Sequence, residues 1–417
     1  MKPSPAAAAA RPAGLNFILV CTFIDMLGIG LIVPVLPMLV GEFTDGRDLQ
    51  AQMFGLFVTL FGLMQFLCMP LLGALSDRVG RRPVLLISII GVGINFLVTG
   101  LATSLWMLAA GRVIGGCCSA SLSVANAYAA DVSTPENRAK SFGKVGAAFG
   151  LGFICGPMVG GLLGGVDLHL PFYVGAGLCA ANALYGYLFV PESLPKHLRT
   201  PFSFARANPL ASLKHLATRA DIGGLVAVFA LVTFAQILLQ TTWVLYTNFR
   251  FSWGPRENGM ALFCVGIVAA VVQAGLLGWL IRTLGEVRLS LLGLASGSIV
   301  FVLYGLATQG WMMYAFILCN VLAFAAGPAL QGIASKATDP RQQGALMGSL
   351  QALGSLALVV VPILGNSALA RVSHLPANDW RIGATFFFGA ALQAMALALA
   401  WRYFGNHRAA LAAARRE

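Results

Sequence analysis

Two charged side chains, Asp25 and Arg112, stand inside long apolar stretches of this sequence. Asp25 is the only acidic residue deep within any predicted membrane span. A charge in hydrocarbon is costly, and ionisable residues there usually mark ion or substrate pathways. An acid that binds a proton near neutral pH can couple proton entry to a conformational switch. Asp25 is therefore the first candidate for a proton-carrying group. The alternative is a structural aspartate, hydrogen-bonded to nearby backbone or paired with a cation.

Neutral polar side chains on the same apolar stretches form a second set of candidates. Amides that face inward can hydrogen-bond a solute without demanding a charge, although a single amide equally often serves as an interhelical hydrogen bond. Gln236 and Gln240 lie one helical turn apart, which favours a shared role. The predicted cavity-lining set is Gln65, Asn95, Asn126, Gln236, Gln240, Trp243, Gln273, Asn320 and Gln331.

The composition indicates what kind of scaffold must hold these groups. Of 417 residues, 58% are hydrophobic and only 10% are charged, whereas soluble proteins carry about 25% charged residues. Such a chain is too apolar to be a soluble protein, so the composition indicates a polytopic membrane protein. The net charge of +12 sits in short gaps between apolar runs, which argues against nucleic acid as a partner. The eight cysteines lie in apolar runs, so we expect buried packing residues and no disulfides.

Twelve apolar runs are long enough to cross a bilayer, since a spanning helix needs roughly 20 apolar residues. A polar stretch with several prolines separates the first six from the last six. The predicted fold is an all-α membrane protein with an N-terminal six-helix bundle (1–190), a cytoplasmic linker (191–220) and a C-terminal six-helix bundle (221–417). The predicted spans are 15–39, 51–75, 83–102, 105–129, 141–164, 170–190, 221–245, 257–281, 287–307, 311–335, 342–369 and 380–404.

Lysine and arginine residues are distributed unevenly across this topology. The side that holds both termini carries 21 of them and the other side five, Arg112 being the last of the 27. Because cytoplasmic loops carry the excess of positive charge, both termini are predicted to be cytoplasmic. If a span had been missed, the lysines and arginines would no longer be concentrated on one side, so the asymmetry supports the number of spans.

The two halves of the chain are copies of each other. At a constant offset of 205 residues, Gly80 matches Gly285. At the same offset, Pro157 matches Pro362. Parallel repeats of this size occur in transporters that hold their substrate near the middle of the membrane, between the repeats.

The loop between spans 2 and 3 carries the motif GALSDRVGRRP at 73–83. Asp77 stands at the end of span 2, where the helix dipole disfavours an anion, so it needs a cation or another helix's N-terminus as a partner. Gly80 permits a tight turn, and Gly73 permits a close helix contact. The alternative is that the arginines only set the topology. The candidate residues are Gly73, Asp77, Arg78, Gly80, Arg81 and Arg82.

This string resembles motif A of the major facilitator superfamily. Span 5 carries a glycine-rich segment that is similar to the antiporter motif of drug/H⁺ exporters. Nearly the whole chain is similar to the tetracycline/H⁺ antiporters, most clearly at 63–70 and 327–332. The span 5 residues are Gly152, Gly156, Pro157, Gly160 and Gly161. We expect them to pack helices together rather than to touch substrate.

The resemblance implies roles for several residues. Motif A would form a conformational latch with Asp131, at the end of span 4, and with the start of span 11 near 342–348. Arg112 resembles the intramembrane arginine that is implicated in proton handling. Asp25 stands in the motif that carries a span 1 aspartate in the tetracycline exporters.

The sequence departs from those exporters at three positions of the central cavity. Asn95 stands in place of an aspartate, Ala269 in place of a histidine and Gly297 in place of an aspartate. Those groups are tied to cation-chelated tetracycline and to proton coupling. A neutral or weakly amphipathic substrate is therefore favoured, and Asp25 is left as the main coupling acid.

The predicted function is secondary active transport: proton-coupled efflux of a small organic compound, tetracycline-like or another drug or metabolite, by alternating access. The proton gradient supplies the energy, and we expect no cofactor, metal site, nucleic acid partner or enzymatic activity. We expect a monomer in a bacterial inner membrane, with the substrate, protons and the lipid bilayer as partners. Two alternatives stay open: a uniporter or importer of a neutral metabolite, and a membrane sensor that keeps the fold without transport.

Overall fold

The computed structural model describes residues 11–134, 137–201, 223–336 and 343–413. Regular structure in these ranges is helical, with no strand, which confirms the predicted all-α class. Side chains are described in the same ranges except at 11–13, 139, 343–349 and 406–413. Residues 202–220 of the predicted linker lie outside the described residues. So do Gln342 and the side chains at 343–348, where a latch partner was expected.

Short connections join the helices, which are numbered here in chain order. They are α1 (Arg11–Ile32), α2 (Leu36–Gly41), α3 (Arg47–Val79), α4 (Arg81–Gly100), α5 (Leu105–Cys118), α6 (Ser121–Asp131), α7 (Arg138–Gly164), α8 (Leu170–Phe189), α9 (Gly223–Phe251), α10 (Pro255–Val271), α11 (Leu277–Leu284), α12 (Glu286–Leu306), α13 (Gly310–Cys319), α14 (Val321–Lys336), α15 (Gln343–Val372) and α16 (Ala384–Ala413).

Eleven stretches of the described chain are long and apolar enough to cross a membrane, and one bent pair of helices raises that number to twelve. The bent pair is α13 and α14, which meet at an angle of 46°. The first span is divided between α1 and α2, next to Pro34 and Pro37. Proline removes a backbone donor and clashes with the preceding turn, which accounts for that break.

Some helices extend beyond the predicted apolar runs. The second apolar run covers 51–75, whereas α3 covers Arg47–Val79. Charged residues such as Asp48 and Arg78 lie in its first and last turns. Hydropathy marks only the part of a helix that sits in hydrocarbon, so polar terminal turns are missed.

Contacts within the chain define two compact units. Unit 1 comprises Met1–Asp45, Leu60–Asn208 and Gly254–Phe263. Unit 2 comprises Gly46–Thr59, Pro209–Trp253 and Cys264–Glu417. The unit boundaries differ from the predicted bundles at 46–59 and 254–263, because each of these segments packs with helices from the other half of the sequence.

Unit 1 is held together by close packing of α1 on α7, of α1 and α4 on α8, and of α4 on α5. In unit 2, α9 packs on α15 and α16, and α12 packs on α14 and α16. An aromatic cluster lies at the centre of these unit 2 contacts. The ring centroids of Tyr246 and Phe386 are 4.4 Å apart, and those of Trp243 and Tyr304 are 5.3 Å apart.

The eight cysteines, all within the described residues, are free, but only Cys21 and Cys179 are buried. The expectation of burial was therefore too broad. Residues of an apolar span face either the protein interior or lipid, and hydropathy does not distinguish the two.

Candidate functional site

The carboxyl group of Asp25 lies in the interior of unit 1. Asp25 stands on α1 and is 2% exposed. The hydroxyl of Ser121, in the first turn of α6, donates a hydrogen bond to Asp25 Oδ2. Its Oδ1 has no hydrogen-bond partner among the described residues. Cys21 and Leu122 border a narrow void beside the carboxyl. One oxygen is thus held by a neighbouring helix, and the other can accept a proton or a second donor.

The guanidinium of Arg112 forms a separate polar cluster in unit 1. Arg112 is 4% exposed and donates from Nη2 to Asn95 Oδ1 at 2.9 Å and to Thr99 Oγ1 at 3.3 Å. It also lies over the ring of Phe61, 5.9 Å from the centroid. Within the described part of the chain, Arg112 forms no ion pair and its Nε has no partner. A buried cation is therefore held by neutral groups alone.

Small residues on α5 bring Arg112 to Asn95. A Cβ added at Gly115 would lie 2.8 Å from the Cγ of Asn95, and one at Gly111 would lie 2.7 Å from the Oγ1 of Thr99. Either distance is below normal contact, so a larger residue at these positions would force the side chains of Asn95 and Thr99 to shift, and the glycines allow the close approach of α5 to α4. The sequence GRVIGG therefore sets the geometry of the arginine cluster.

Motif A builds an ionic cluster around Arg81 at the start of α4. Arg81 Nη1 lies 2.6 Å from Asp77 Oδ1, and Arg81 Nε lies 3.0 Å from Asp131 Oδ2. Arg81 Nη1 also donates to Ser76 Oγ at 2.7 Å. The structure thus brings together three residues that sequence analysis assigned to one latch. The cluster joins the ends of α3 and α6 to the start of α4.

The other motif A residues have different surroundings. Gly80 has a φ of +117° and allows the turn between α3 and α4, as expected. Arg82 donates to the carbonyl oxygen of Tyr187 and lies 5.4 Å from the centroid of its ring. Arg78 is exposed. A Cβ at Gly73 would meet no described atom within 4 Å. The expected close helix contact at Gly73 is absent from the described structure, because no described helix packs on that face of α3.

Glu192, just after α8, contacts the start of α4 beside the Arg81 cluster and was not among the predicted site residues. Its carboxylate accepts hydrogen bonds from the backbone N–H groups of Arg81 and Arg82, at 2.8 and 3.3 Å. These are unpaired donors at the positive end of α4, where an anion is favourable. Ser193 also donates to Asp131 Oδ2 at 3.0 Å. The signal was a carboxylate directly after Pro191, within a stretch that had been classed as linker.

The glycines of α7 serve as contact surfaces, as expected. A Cβ at Gly156 would lie 2.6 Å from the Cα of Gly30 on α1. Gly152 and Gly160 also face α1, and Pro157 lies inside α7. Gly161 faces α10 instead, where a Cβ would lie 2.9 Å from the Cα of Gly259. Gly259 is thus a further contact residue that no sequence motif had indicated.

The predicted cavity-lining residues are distributed over both units. Asn95 and Trp243 are 2% and 4% exposed, so both are buried in this structure, and their role in lining a cavity stays a prediction. Asn95 is occupied by Arg112, and Trp243 belongs to the aromatic cluster because its face of α9 packs on α12 and α16.

The remaining cavity candidates differ in their contacts. Gln65 donates to Ser119 at 2.9 Å, and Asn320 accepts from Ser296 at 3.3 Å. Each bond links a helix to the junction between two others, since Ser119 lies between α5 and α6 and Asn320 between α13 and α14. This is close to the interhelical hydrogen bond of the alternative interpretation. Asn126 is half-buried. The exposed members are Gln236, Gln240, Gln273 and Gln331.

Unit 2 contains a counterpart of the motif A ion pair. Glu286, at the start of α12, accepts a hydrogen bond from Lys336, at the end of α14, with 2.7 Å between Oε1 and Nζ. At the repeat offset of 205, Glu286 corresponds to Arg81, and Lys336 corresponds to Asp131. The same helix ends are thus joined in both units, with the charges exchanged.

Comparisons with known proteins give this geometry a context. A family model described as Major Facilitator Superfamily matches residues 18–362. The class C tetracycline resistance protein of Escherichia coli is 37% identical over 374 residues, which cover 90% of this chain and 93% of that protein. Major facilitator superfamily domain-containing protein 10 of Homo sapiens is 31% identical over 337 residues, 75% of this chain and 72% of that protein. A crystal structure of the human organic anion transporter MFSD10 is similar with a TM-score of 0.68 and 26% identity, covering 95% of this chain and 100% of that one.

Proposed function

The chain belongs to the major facilitator superfamily and is a multi-pass membrane transporter of a small molecule, not an enzyme; on this premise we propose that it exports an organic compound in exchange for protons by alternating access. The single observation that carries proton coupling is the buried carboxyl of Asp25, which has one oxygen held by Ser121 and one without a partner. Ionisable groups in such positions are functional by default.

Protonation of Asp25 changes what the carboxyl demands of its surroundings. An ionised carboxylate accepts hydrogen bonds only, whereas the protonated acid has one O–H to donate. The Ser121 hydroxyl can turn to suit either form, since a hydroxyl both donates and accepts. Asp25 also lies on the helix that packs against Gly156 of α7. A change in the charge on α1 therefore acts at a tightly packed helix contact.

The cytoplasmic ion cluster is the second working part of this proposal. Arg81 holds Asp77 and Asp131 together, and Glu192 holds the start of α4. Charge-assisted hydrogen bonds of this kind are about twice as strong as neutral ones. We assign to this cluster the role of a latch that is formed in one state of the cycle and released in the other.

The relatives suggest two classes of cargo. Relatives named tetracycline resistance proteins favour drug efflux. The second candidate cargo is an organic anion, and one observation favours it specifically: Arg112 is a buried cation whose partners are neutral. The human relative is named an organic anion transporter. Arg112 therefore has either a proton-handling role or a role in balancing the charge of an anionic substrate.

The cellular setting follows from the same proposal. We place the transporter in a bacterial inner membrane, as a monomer with both termini cytoplasmic. The proton gradient drives it, and no cofactor is required. Its partners are the substrate, protons and lipid.

Proton exchange in proteoliposomes tests the proposal. Vesicles loaded with a pH-sensitive dye are given a pH gradient and then tetracycline, a phenicol, a cationic dye or an organic carboxylate. Wild type is compared with Asp25→Asn, and Asp45→Asn, at an exposed loop position, is the matched control. We expect substrate-dependent proton flux in wild type and control, and its loss in Asp25→Asn.

The alternatives predict different results in this assay. Solute movement without proton flux in any variant would establish the uniporter. Flux that persists in Asp25→Asn would place coupling elsewhere in the protein. Neither solute nor proton movement across the panel, with correctly folded protein, would favour the sensor.

A further inference from the structure

A cavity of about 560 Å³ lies in unit 2, where the first turns of α3 meet the end of α15. Its lining is mainly polar and includes Arg47, Asp48, Arg371 and His374. The volume lies within the range of roughly 300–1,000 Å³ that is typical of small-molecule sites. It is separate from the Asp25 and Arg112 clusters, which both belong to unit 1.

The charge of this cavity is unbalanced. Two arginines and a histidine face a single carboxylate, that of Asp48. Neither arginine forms an ion pair with any described residue. The guanidinium of Arg47 is positioned 5.4 Å from the centroid of the Phe249 ring. Two unpaired guanidinium groups at one cavity make it attractive to an anion, since arginine binds phosphate and carboxylate oxygens in a bidentate manner.

The membrane side makes these arginines unusual. Arg47 lies at the opposite end of α3 from Asp77 of motif A. By charge distribution, that side carries only five of the 27 lysines and arginines, and two of the five line this cavity. Basic residues are normally concentrated on the cytoplasmic side. A pair of them in one cavity on the other side therefore calls for a binding role.

The cavity lies at one end of the closely packed contact between α3 and α15 in unit 2, which is called the seam here. Further along these two helices, Thr59 Oγ1 donates to the carbonyl oxygen of Val359 at 3.0 Å. A Cβ at Gly55 would lie 2.9 Å from the carbonyl oxygen of Pro362 and 2.8 Å from the Cβ of Asn366. The two helices of this seam come from different halves of the sequence, so anything that bridges their ends bears on whether the seam stays closed.

We propose that this cavity binds a phosphate-type oxyanion, free or carried by a phospholipid headgroup, through Arg47 and Arg371, and that the bound anion holds the ends of α3 and α15 together. His374 supplies a further donor at the rim, and Asp48 limits the number of negative charges that the site accepts. This function is independent of the cargo and of Asp25.

The test uses purified full-length protein in detergent. Thermal unfolding is followed while inorganic phosphate is added at constant ionic strength, with chloride as the reference anion. A second arm adds short-chain phosphatidylglycerol, with short-chain phosphatidylcholine as its reference. The variants are Arg47→Gln/Arg371→Gln, Arg47→Lys/Arg371→Lys and the control Arg256→Gln, which removes an exposed arginine outside the cavity.

We expect a saturable rise in the midpoint of unfolding for wild type and Arg256→Gln with phosphate, phosphatidylglycerol or both. The arm that responds identifies the source of the oxyanion. The glutamine pair should lose affinity by about tenfold or more per arginine, and the lysine pair should fall between. An equal rise in the glutamine pair, or no rise with either ligand, would overturn the proposal.

Hydrogen exchange provides a readout of the seam itself. In wild type, the anion that shifts unfolding should slow amide exchange at 47–59 and 359–372. The glutamine pair replaces exposed side chains, and its unliganded midpoint of unfolding reports whether it is folded. Slowed exchange spread evenly over both units would contradict a local clamp.

Discussion

At the scale of single residues, the pair Arg112 and Asn95 gives the most direct prediction. Asn95→Asp would place a carboxylate 2.9 Å from a buried guanidinium that has only neutral partners. We expect Asn95→Asp to keep or raise the midpoint of unfolding. If the cargo is an anion, its transport should fall about tenfold or more, because the new aspartate replaces it at Arg112.

A second buried asparagine provides the matched control. Asn182 is fully buried and donates to the carbonyl oxygen of Cys21 at 3.0 Å, with no cation beside it. Asn182→Asp should therefore cost about 3–5 kcal/mol, as an uncompensated buried charge does. Equal destabilisation of the two variants in thermal unfolding would show that Arg112 does not compensate a carboxylate at position 95.

Asp379 gives a prediction about pH dependence. Hydrogen bonds from the side chain and backbone of Arg381 lower its pKa to about 2, from about 3.9 in an unfolded chain. Its folded-state pKa is depressed, so its stabilising effect is present above about 3.9 and is lost as the pH falls through about 2. Between about pH 5 and pH 8, Asp379→Asn should thus change neither the pH profile of unfolding nor that of transport. A changed slope in that window, measured against wild type, would refute this assignment.

Residue types were easier to predict than residue partners. Asp25 and Arg112 could be selected because charge is rare in apolar spans, and both are buried in the structure. The same signal could not show that Asn95 is bound to Arg112 or that Trp243 lies in an aromatic cluster. Those contacts depend on which face of each helix meets a neighbour, and hydropathy alone does not identify that neighbour.

At the scale of elements, Glu192 connects the segment after α8 to the start of α4. Glu192→Gln removes the anion that accepts from the backbone of Arg81 and Arg82. Loss of an N-terminal cap typically costs about 0.5–2 kcal/mol. We expect a loss of that size in the free energy of unfolding and a changed transport rate, measured beside Asp45→Asn. Unchanged stability and rate would exclude Glu192 from the latch.

The contact between α7 and α10 gives a second prediction at this scale. A Cβ at Gly259 would lie 2.8 Å from the Cα of Gly161, so Gly259→Ala must separate the helices. We expect a cost of about 1–3 kcal/mol, as for overpacked interiors. Gly143→Ala is the control, because a Cβ there meets no described atom within 4 Å and alanine favours a helix. Equal unfolding midpoints for the two variants would mean that the contact yields without strain.

At the scale of the whole molecule, the internal repeat was the most informative feature of the sequence. It predicted two copies of one helical arrangement, and both copies contain a glycine with positive φ before the matching helix, Gly80 at +117° and Gly285 at +75°. The exchange of 46–59 and 254–263 between the compact units was not predictable, because it depends on contacts between distant parts of the sequence and not on local pattern.

The exchanged ion pairs allow a test of the repeat itself. Arg81 and Asp131 in unit 1 correspond to Glu286 and Lys336 in unit 2. Glu286→Arg places a cation beside Lys336, and Lys336→Asp places an anion beside Glu286, so each single variant should lose stability. The double variant restores an attractive pair with the polarity found in unit 1.

Because Lys336 is 72% exposed, the coupling energy should be only about 0.2–1 kcal/mol. A double-mutant cycle on thermal unfolding measures it. Strict additivity would show that these helix ends are not coupled through charge. A positive coupling together with normal transport by the double variant would show that the repeat needs an ion pair at this position but not a fixed polarity.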